Sequence, residues 1–155
     1  MIVSSALAQH SIDFRSDPFL LNCSIDPSSF GFKIYGTTKL MNVLTARSLA
    51  EKLKDRGVIV NAVHPGIIKT DLHSGDNDTI SNTIRGIMYT LIGIEPWQGA
   101  QPMLHLATSP DAAVFSGEYV HGILPRPIPS PLGYDRELQE FLWKKSLEVT
   151  GAPDL

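Results

Sequence analysis

A phenol and an ammonium four positions apart, Tyr35 and Lys39, are the residues of this chain best suited to acid–base chemistry. On a helix, positions i and i+4 share a face, with β-carbons about 5–6 Å apart. A free tyrosine titrates at about pH 10 and is a poor proton carrier near neutrality. A fixed positive charge beside it favours the phenolate and brings the group toward the working range. Gly36, Thr37 and Thr38 between them are small, which leaves room for a flat ligand to approach the helix. The same spacing also describes an ordinary surface contact, so the weight of the reading falls on the neighbouring segments.

Those segments can be read from periodicity. Ile2 and Val3 form a short apolar run that closes on Ser4 and Ser5. From Gln9 to Phe32 the sequence is irregular, with turn signals at Asp17-Pro18, Asp26-Pro27 and Ser28-Ser29. A helix is expected from about Tyr35 to Asp55, with Leu40, Val43, Leu44, Leu49, Ala50 and Leu53 as its apolar stripe and Gly57 as its stop. Val58 to Val63 reads as a strand covered on both faces, broken by His64-Pro65-Gly66. An amphipathic segment from Ile80 to Leu91 follows, then a helix that Glu95-Pro96 begins and Ser109-Pro110 closes. Gly117 to Val120 is the last expected strand, Pro125 to Pro131 a proline-rich loop, and Asp135 to Val149 a terminal amphipathic helix. Strand, helix, strand, helix, strand is the pattern of an α/β fold with a parallel sheet and right-handed crossovers. About three parallel strands with flanking helices make a small sheet, with the first strand at its edge. The chain therefore reads as one half of a larger doubly wound sheet.

Bulk properties narrow the function classes. The length of 155 residues suits one domain with a real core, and 43% hydrophobic against 19% charged residues is a globular balance. Net charge is −3 with no basic run, which argues against nucleic acid as a partner. The single cysteine, Cys23, excludes an internal disulfide and points to a reducing, intracellular and by default cytoplasmic setting. No apolar stretch is long enough to span a bilayer, and the first residues lack the regions of a signal peptide.

In an open parallel sheet, ligands bind outside the carboxyl ends of the strands. Ser5 closes the first expected strand, Tyr35 and Lys39 sit on the following helix, and Pro65-Gly66 ends the second strand. A serine hydroxyl there can hold a carbonyl oxygen, and the phenol can move its proton. The ammonium can hold a ribose, and the turn at Pro65-Gly66 with Thr70 can hydrogen-bond a carboxamide. Together these groups suit hydride transfer between a nicotinamide and an alcohol or carbonyl.

With Ile2-Val3-Ser4-Ser5, Tyr35-x-x-x-Lys39 and Asn61-Ala62-Val63-His64-Pro65-Gly66 followed by Thr70, the chain resembles the short-chain dehydrogenase/reductase family. The long connection from Ser5 to Tyr35, Gln98-Gly99-Ala100 and Leu142-Trp143 are similar to its retinol-dehydrogenase-like branch. The resemblance implies the C-terminal half of a doubly wound, Rossmann-type sheet. It implies Ser5 as carbonyl-orienting, Tyr35 as the acid–base, and Lys39 as the ribose-binding residue. Pro65, Gly66, Ile68 and Thr70 would wall the nicotinamide of NAD or NADP, and the substrate would be a lipophilic alcohol or carbonyl, retinoid or steroid-like. No Thr-Gly-x-x-x-Gly-x-Gly turn occurs in the sequence, so residues 1–155 are expected to be a partial NAD(P)-binding domain without its glycine-rich half. This chain is then expected to hold only the nicotinamide end of the cofactor. A second reading is a truncated, non-catalytic product that pairs with a full-length relative. The resemblance places dimer contacts on the 35–55 helix, where Leu44, Leu49 and Leu53 would offer apolar surface.

Blander readings stand beside these. Ser5 can cap a turn, and Ser4 is its rival for the carbonyl. Pro65-Gly66 can simply terminate a strand. His64, Asp71 and His73 fit no standard metal-ligand spacing, so no metal is expected. His10, His105 and His121 read as surface or satisfied core residues. The stripe from Ile80 to Leu91 reads as core packing, with a substrate lid as the minority reading.

Overall fold

The computed structural model describes residues 1–18, 27–69 and 93–155, with residues 27–32 described for their backbone only. Cys23, Thr70, Asp71, His73 and the expected segment from Ile80 to Leu91 lie outside the described residues.

Four short strands form one sheet in sequence order: β1 (Ile2–Val3), β2 (Ala62–His64), β3 (Tyr119–His121) and β4 (Leu124–Pro125). The first three are parallel, with Ile2 opposite Ala62 and Ala62 opposite Tyr119. The expected α/β architecture is therefore present, with β1 at an edge. The addition is β4, which turns back antiparallel on β3. Its two-residue connection starts at Gly122 with φ 70, the left-handed geometry that tight hairpins require. Pro125 has no N–H to donate, which suits its place on the opposite edge.

Among the described residues three helices accompany the sheet: α1 (Pro27–Lys52), α2 (Pro96–Thr108) and α3 (Arg136–Thr150). α1 starts earlier than the expected Tyr35. Pro27 is its first residue, where a missing N–H costs nothing, and Ser28-Ser29 belong to its first turn rather than to a loop. It also ends before Asp55, giving way to a 3-10 turn over Lys54–Arg56 that Gly57 closes with φ 67. The caps of α2 and α3 are readable. Glu95 and Gln98 form a capping box on α2. On α3 the Asp135 carboxylate accepts from the Leu138 N–H at 2.9 Å, and Gly151 ends the helix in the left-handed region.

The second strand is shorter than expected. Val58 and Ile59 are exposed, and burial begins at Val60. Pairing begins at the same place, where the Gly117 N–H reaches the Val60 carbonyl at 2.7 Å. Asn61 is buried among apolar neighbours because its side chain is satisfied at both ends. Its amide donates to the Phe115 carbonyl at 2.8 Å and accepts from the Glu118 N–H at 3.0 Å.

The core lies on two faces of α1. Val43, Ala46 and Ala50 pack with Val60, Ala62, Tyr119 and Ile128 on the sheet side. Leu40 and Leu44 pack with Ala8, Phe14 and Leu138, where α3 covers the helix. Leu44 is fully buried in this second cluster, and Leu49 and Leu53 lean on the first. Of the three leucines expected to offer surface for a dimer, Leu44 is thus withdrawn, while Leu49 and Leu53 keep part of theirs.

Candidate active site

The Tyr35–Lys39 pair lies in the interior of α1, two turns after Pro27. The Lys39 ammonium stands 5.2 Å from the centroid of the Tyr35 ring, so the one-face geometry read from the spacing is present. Tyr35 is 42% exposed. Among the described residues no carboxylate claims the Lys39 ammonium, which leaves it available to a ligand.

The small residues between them serve the chain itself. A Cβ on Gly36 would stand 2.4 Å from the Leu7 carbonyl oxygen, so glycine allows the 3-10 turn Ala6–His10 to lie directly on α1. Thr37 is fully buried, accepting from the Ile12 N–H at 3.1 Å and donating to the Lys33 carbonyl at 2.7 Å. Thr38 donates to the Tyr35 carbonyl at 2.8 Å. The space beside Gly36 is therefore filled by backbone, not left for a flat ligand.

Two side-chain bonds tie the end of β1 to this helix. The Ser4 hydroxyl donates to the Lys39 carbonyl at 2.9 Å, and the Asn42 amide donates to the Val3 carbonyl at 2.8 Å. The Ser5 oxygen accepts from the Leu7 N–H at 3.2 Å and caps the 3-10 turn. The two serines differ in what they leave free. Ser4 has committed its proton, whereas Ser5 has committed a lone pair and, among the described residues, has no acceptor for its O–H.

Pro65 and Gly66 follow β2, and Gly66 adopts φ 94, which favours glycine. A Cβ there would also meet the Ile94 side chain at 2.9 Å. The Ile68 side chain runs onto Gly99, whose absent Cβ would lie 2.4 Å from it, so α2 starts tight against this turn. Gly99 of Gln98-Gly99-Ala100 thus has a packing role against Pro65 and Ile68.

Sequence reasoning missed one feature here. His64 is only 7% exposed, and its Nδ1 is buried without a hydrogen-bond partner. Its ring meets that of His121, with centroids 4.7 Å apart. Burial first, and then the His121 ring, push the His64 imidazole down to about pKa 4. A signal existed: β2 and β3 both end in Val-His before a turn, and parallel pairing sets such residues side by side.

The family profile described as enoyl-(acyl carrier protein) reductase matches residues 24–121. The chain is 37% identical over 120 residues to retinol dehydrogenase 13 from Homo sapiens, covering 76% of this chain and 36% of that protein. It is 32% identical over 129 residues to the chloroplastic short-chain dehydrogenase TIC 32 A from Brassica napus, covering 80% and 39%. The chain thus spans little more than a third of the curated relatives it matches. An uncharacterized protein from Mycobacterium Paratuberculosis shares the fold, with a TM-score of 0.57 at 19% identity over 97% of this chain and 49% of that one. On the profile match, the chain belongs to the short-chain dehydrogenase/reductase family and is retinol-dehydrogenase-like within it.

Proposed function

We propose that this chain carries the catalytic residues of an NAD(P)-dependent oxidoreductase acting on a lipophilic alcohol or its carbonyl product. The observation that carries the reading is the Tyr35 ring beside a Lys39 ammonium that no carboxylate claims among the described residues, both on a helix tied to the end of β1. Tyr35 exchanges the proton of the substrate oxygen, and Ser5 donates its free O–H to the same oxygen. Lys39 holds the ribose hydroxyls. The residues present fit the nicotinamide end of the cofactor, because the positive φ of Gly66 lets backbone approach a flat ring between Pro65 and Ile68. When bound, the nicotinamide supplies or accepts the hydride. Thr70, which follows that turn in the sequence, would complete the same wall. A retinoid-like substrate is suggested by the names of the relatives. Residues 1–155 would serve as part of an NAD(P)-binding domain whose phosphate-binding turn is not in this sequence.

The test joins this chain to the glycine-rich half of a relative such as retinol dehydrogenase 13 and follows NAD(P)H oxidation with lipophilic aldehydes. Tyr35→Phe keeps the ring and removes the proton, and turnover should fall by about 10²-fold or more. Near-full turnover in that variant would overturn the reading.

A second reading, a non-catalytic chain that pairs with a longer relative, is favoured by the β1 edge, where Val3 is exposed. Light scattering that finds only monomer, alone and with the relative, would remove it.

A further inference from the structure

Past the end of α3 the chain buries nothing: residues 151–155 are all exposed. Gly151 takes φ 66, and the chain doubles back until Asp154 meets Trp143, about two turns before the end of that helix. One oxygen of the Asp154 carboxylate accepts from the Trp143 indole N–H at 2.8 Å and from the Lys52 ammonium at 2.6 Å. Lys52 is the last residue of α1, so this carboxylate joins three segments. The other bonds of the tail are local. The Ala152 N–H turns back to the Thr150 hydroxyl at 3.3 Å, and the Leu155 N–H to Asp154 itself at 2.9 Å. Among the described residues, Asp154 is thus the one hydrogen-bonding link between residues 152–155 and anything before Thr150.

The receiving pair does not depend on the tail for its shape. The Lys52 ammonium lies 5.1 Å from the centroid of the Trp143 ring, an attraction that persists without any carboxylate. The Lys52 side chain is 26% exposed against 58% for Asp154, so the cation is the sheltered member and the carboxylate the removable one. An ammonium and an indole N–H can only donate, and with the positive charge they select an anionic acceptor. The Lys52 bond first, and then that of Trp143, hold the Asp154 carboxyl below its usual range, so it is ionised at neutral pH. The occupant also shows the form of chain the pair accepts. Pro153 fixes its own φ and biases Ala152 toward extended backbone, so the aspartate arrives on an extended segment, Ala152-Pro153-Asp154-Leu155.

We propose that Lys52 and Trp143 form a carboxylate-binding site for an extended, aspartate-containing peptide segment of another chain, and that Asp154 occupies this site in cis as an autoinhibitory contact. The tether keeps Asp154 at an effective concentration in about the millimolar range, so a peptide in trans competes poorly until the tail is displaced. Lys52 stands 17 positions after Tyr35 on the same helix, about 25 Å along its axis. The site is therefore separate from the Tyr35–Lys39 pair and does not rest on the oxidoreductase reading.

The experiment titrates the peptide acetyl-Ala-Pro-Asp-Leu-amide into the 155-residue chain and reads tryptophan fluorescence. The chain has two tryptophans, and Trp97→Phe, at an exposed position, leaves Trp143 as the reporter in every form tested. Asp154→Ala should bind the peptide at least about tenfold more tightly than its parent, because the tethered competitor is gone. Lys52→Gln added to Asp154→Ala should weaken binding about tenfold, the scale of one lost charge-assisted hydrogen bond. The same peptide with asparagine in place of aspartate should give no saturable change. A chain ended at Gly151 is a second form without the competitor and should match Asp154→Ala, with circular dichroism unchanged. Equal affinity with and without Asp154, an equal response to the asparagine peptide, or no saturable change in either tail-altered form would overturn the proposal. Loss of the folded circular dichroism signal in both of those forms would also overturn it, by making the tail a structural tie. Tyr35, Lys39 and Ser5 are untouched throughout, so failure here is separate from failure of the Tyr35→Phe test.

Discussion

The buried Ser4 hydroxyl donates to the backbone carbonyl of Lys39, joining the end of β1 to the middle of α1. The next residue, Ser5, accepts from the Leu7 N–H and donates its proton to none of the described residues. The two serines should therefore respond differently to removal of the hydroxyl. Ser4→Ala should lower stability by about 1–2 kcal/mol in urea unfolding, as for a lost buried hydrogen bond. Turnover in the joined protein should be largely kept. Ser5→Ala should chiefly lower kcat, since orientation of the carbonyl matters most in the transition state. If Ser4→Ala were the variant that lost turnover, their roles would have to be exchanged.

Lys39→Ala is expected to behave unlike Tyr35→Phe. The ammonium serves both ribose and phenol, so cofactor KM should rise and kcat should fall together, whereas Tyr35→Phe should leave cofactor binding nearly unchanged. Steady-state kinetics on the joined protein separate the two patterns. The 155-residue chain alone should bind NADH or NADPH in the millimolar range. Low-micromolar binding by calorimetry would show that the nicotinamide end suffices.

Gly36→Ala tests the close approach of the 3-10 turn to α1. On an exposed helix this change would stabilise by up to about 1 kcal/mol. Here the new Cβ meets the Leu7 carbonyl oxygen at 2.4 Å, a backbone atom that cannot rotate away. The expected net effect is a loss of about 1–3 kcal/mol, seen as a lower Tm. A Tm at or above wild type would mean that the Ala6–His10 turn shifts at little cost.

His64 makes stability depend on pH. Its pKa is about 4 in the fold, against 6.5 for a free imidazole. The unfolded chain therefore binds the proton first as pH falls. Stability should be full above about pH 6.5 and fall on acidification toward pH 4, by up to about 3 kcal/mol. Among the described residues, His121 is the other titratable group whose ring His64 meets. Urea unfolding between pH 7 and pH 4 should show a slope that His64→Gln flattens. An equal slope in the variant would assign the effect elsewhere.

The strand–helix alternation was readable because each element carries its own period and stop signal. Glu95-Pro96 opens α2, Asp135 caps α3, and Gly57 closes the 3-10 turn after α1. The start of α1 was hidden because Asp26-Pro27-Ser28-Ser29 serves equally as a turn or as a helix N-terminus. The exposed Val58 and Ile59 escaped notice because apolar composition reports strand tendency, whereas burial depends on where the neighbouring strands begin. Gly36 looked like ligand space because the Leu7 carbonyl that fills it lies 29 positions away in sequence. The His64–His121 contact needed strand register, which two separate Val-His pairs suggest without fixing.

The turn after β2 and the start of α2 are fastened to each other. The Ile94 N–H reaches the Ile67 carbonyl at 2.8 Å, the Lys69 N–H reaches the Ile94 carbonyl at 3.0 Å, and Lys69 pairs with Glu95 at 2.9 Å. The chain between residues 69 and 94 thus departs from and returns to a single point. Closing such a span costs entropy that grows only with the logarithm of its length. Ile67 and Lys69 are accordingly held beside Ile94 and Glu95 however far apart they stand in sequence. The two elements meet at one bracket, made of two backbone bonds and one ion pair.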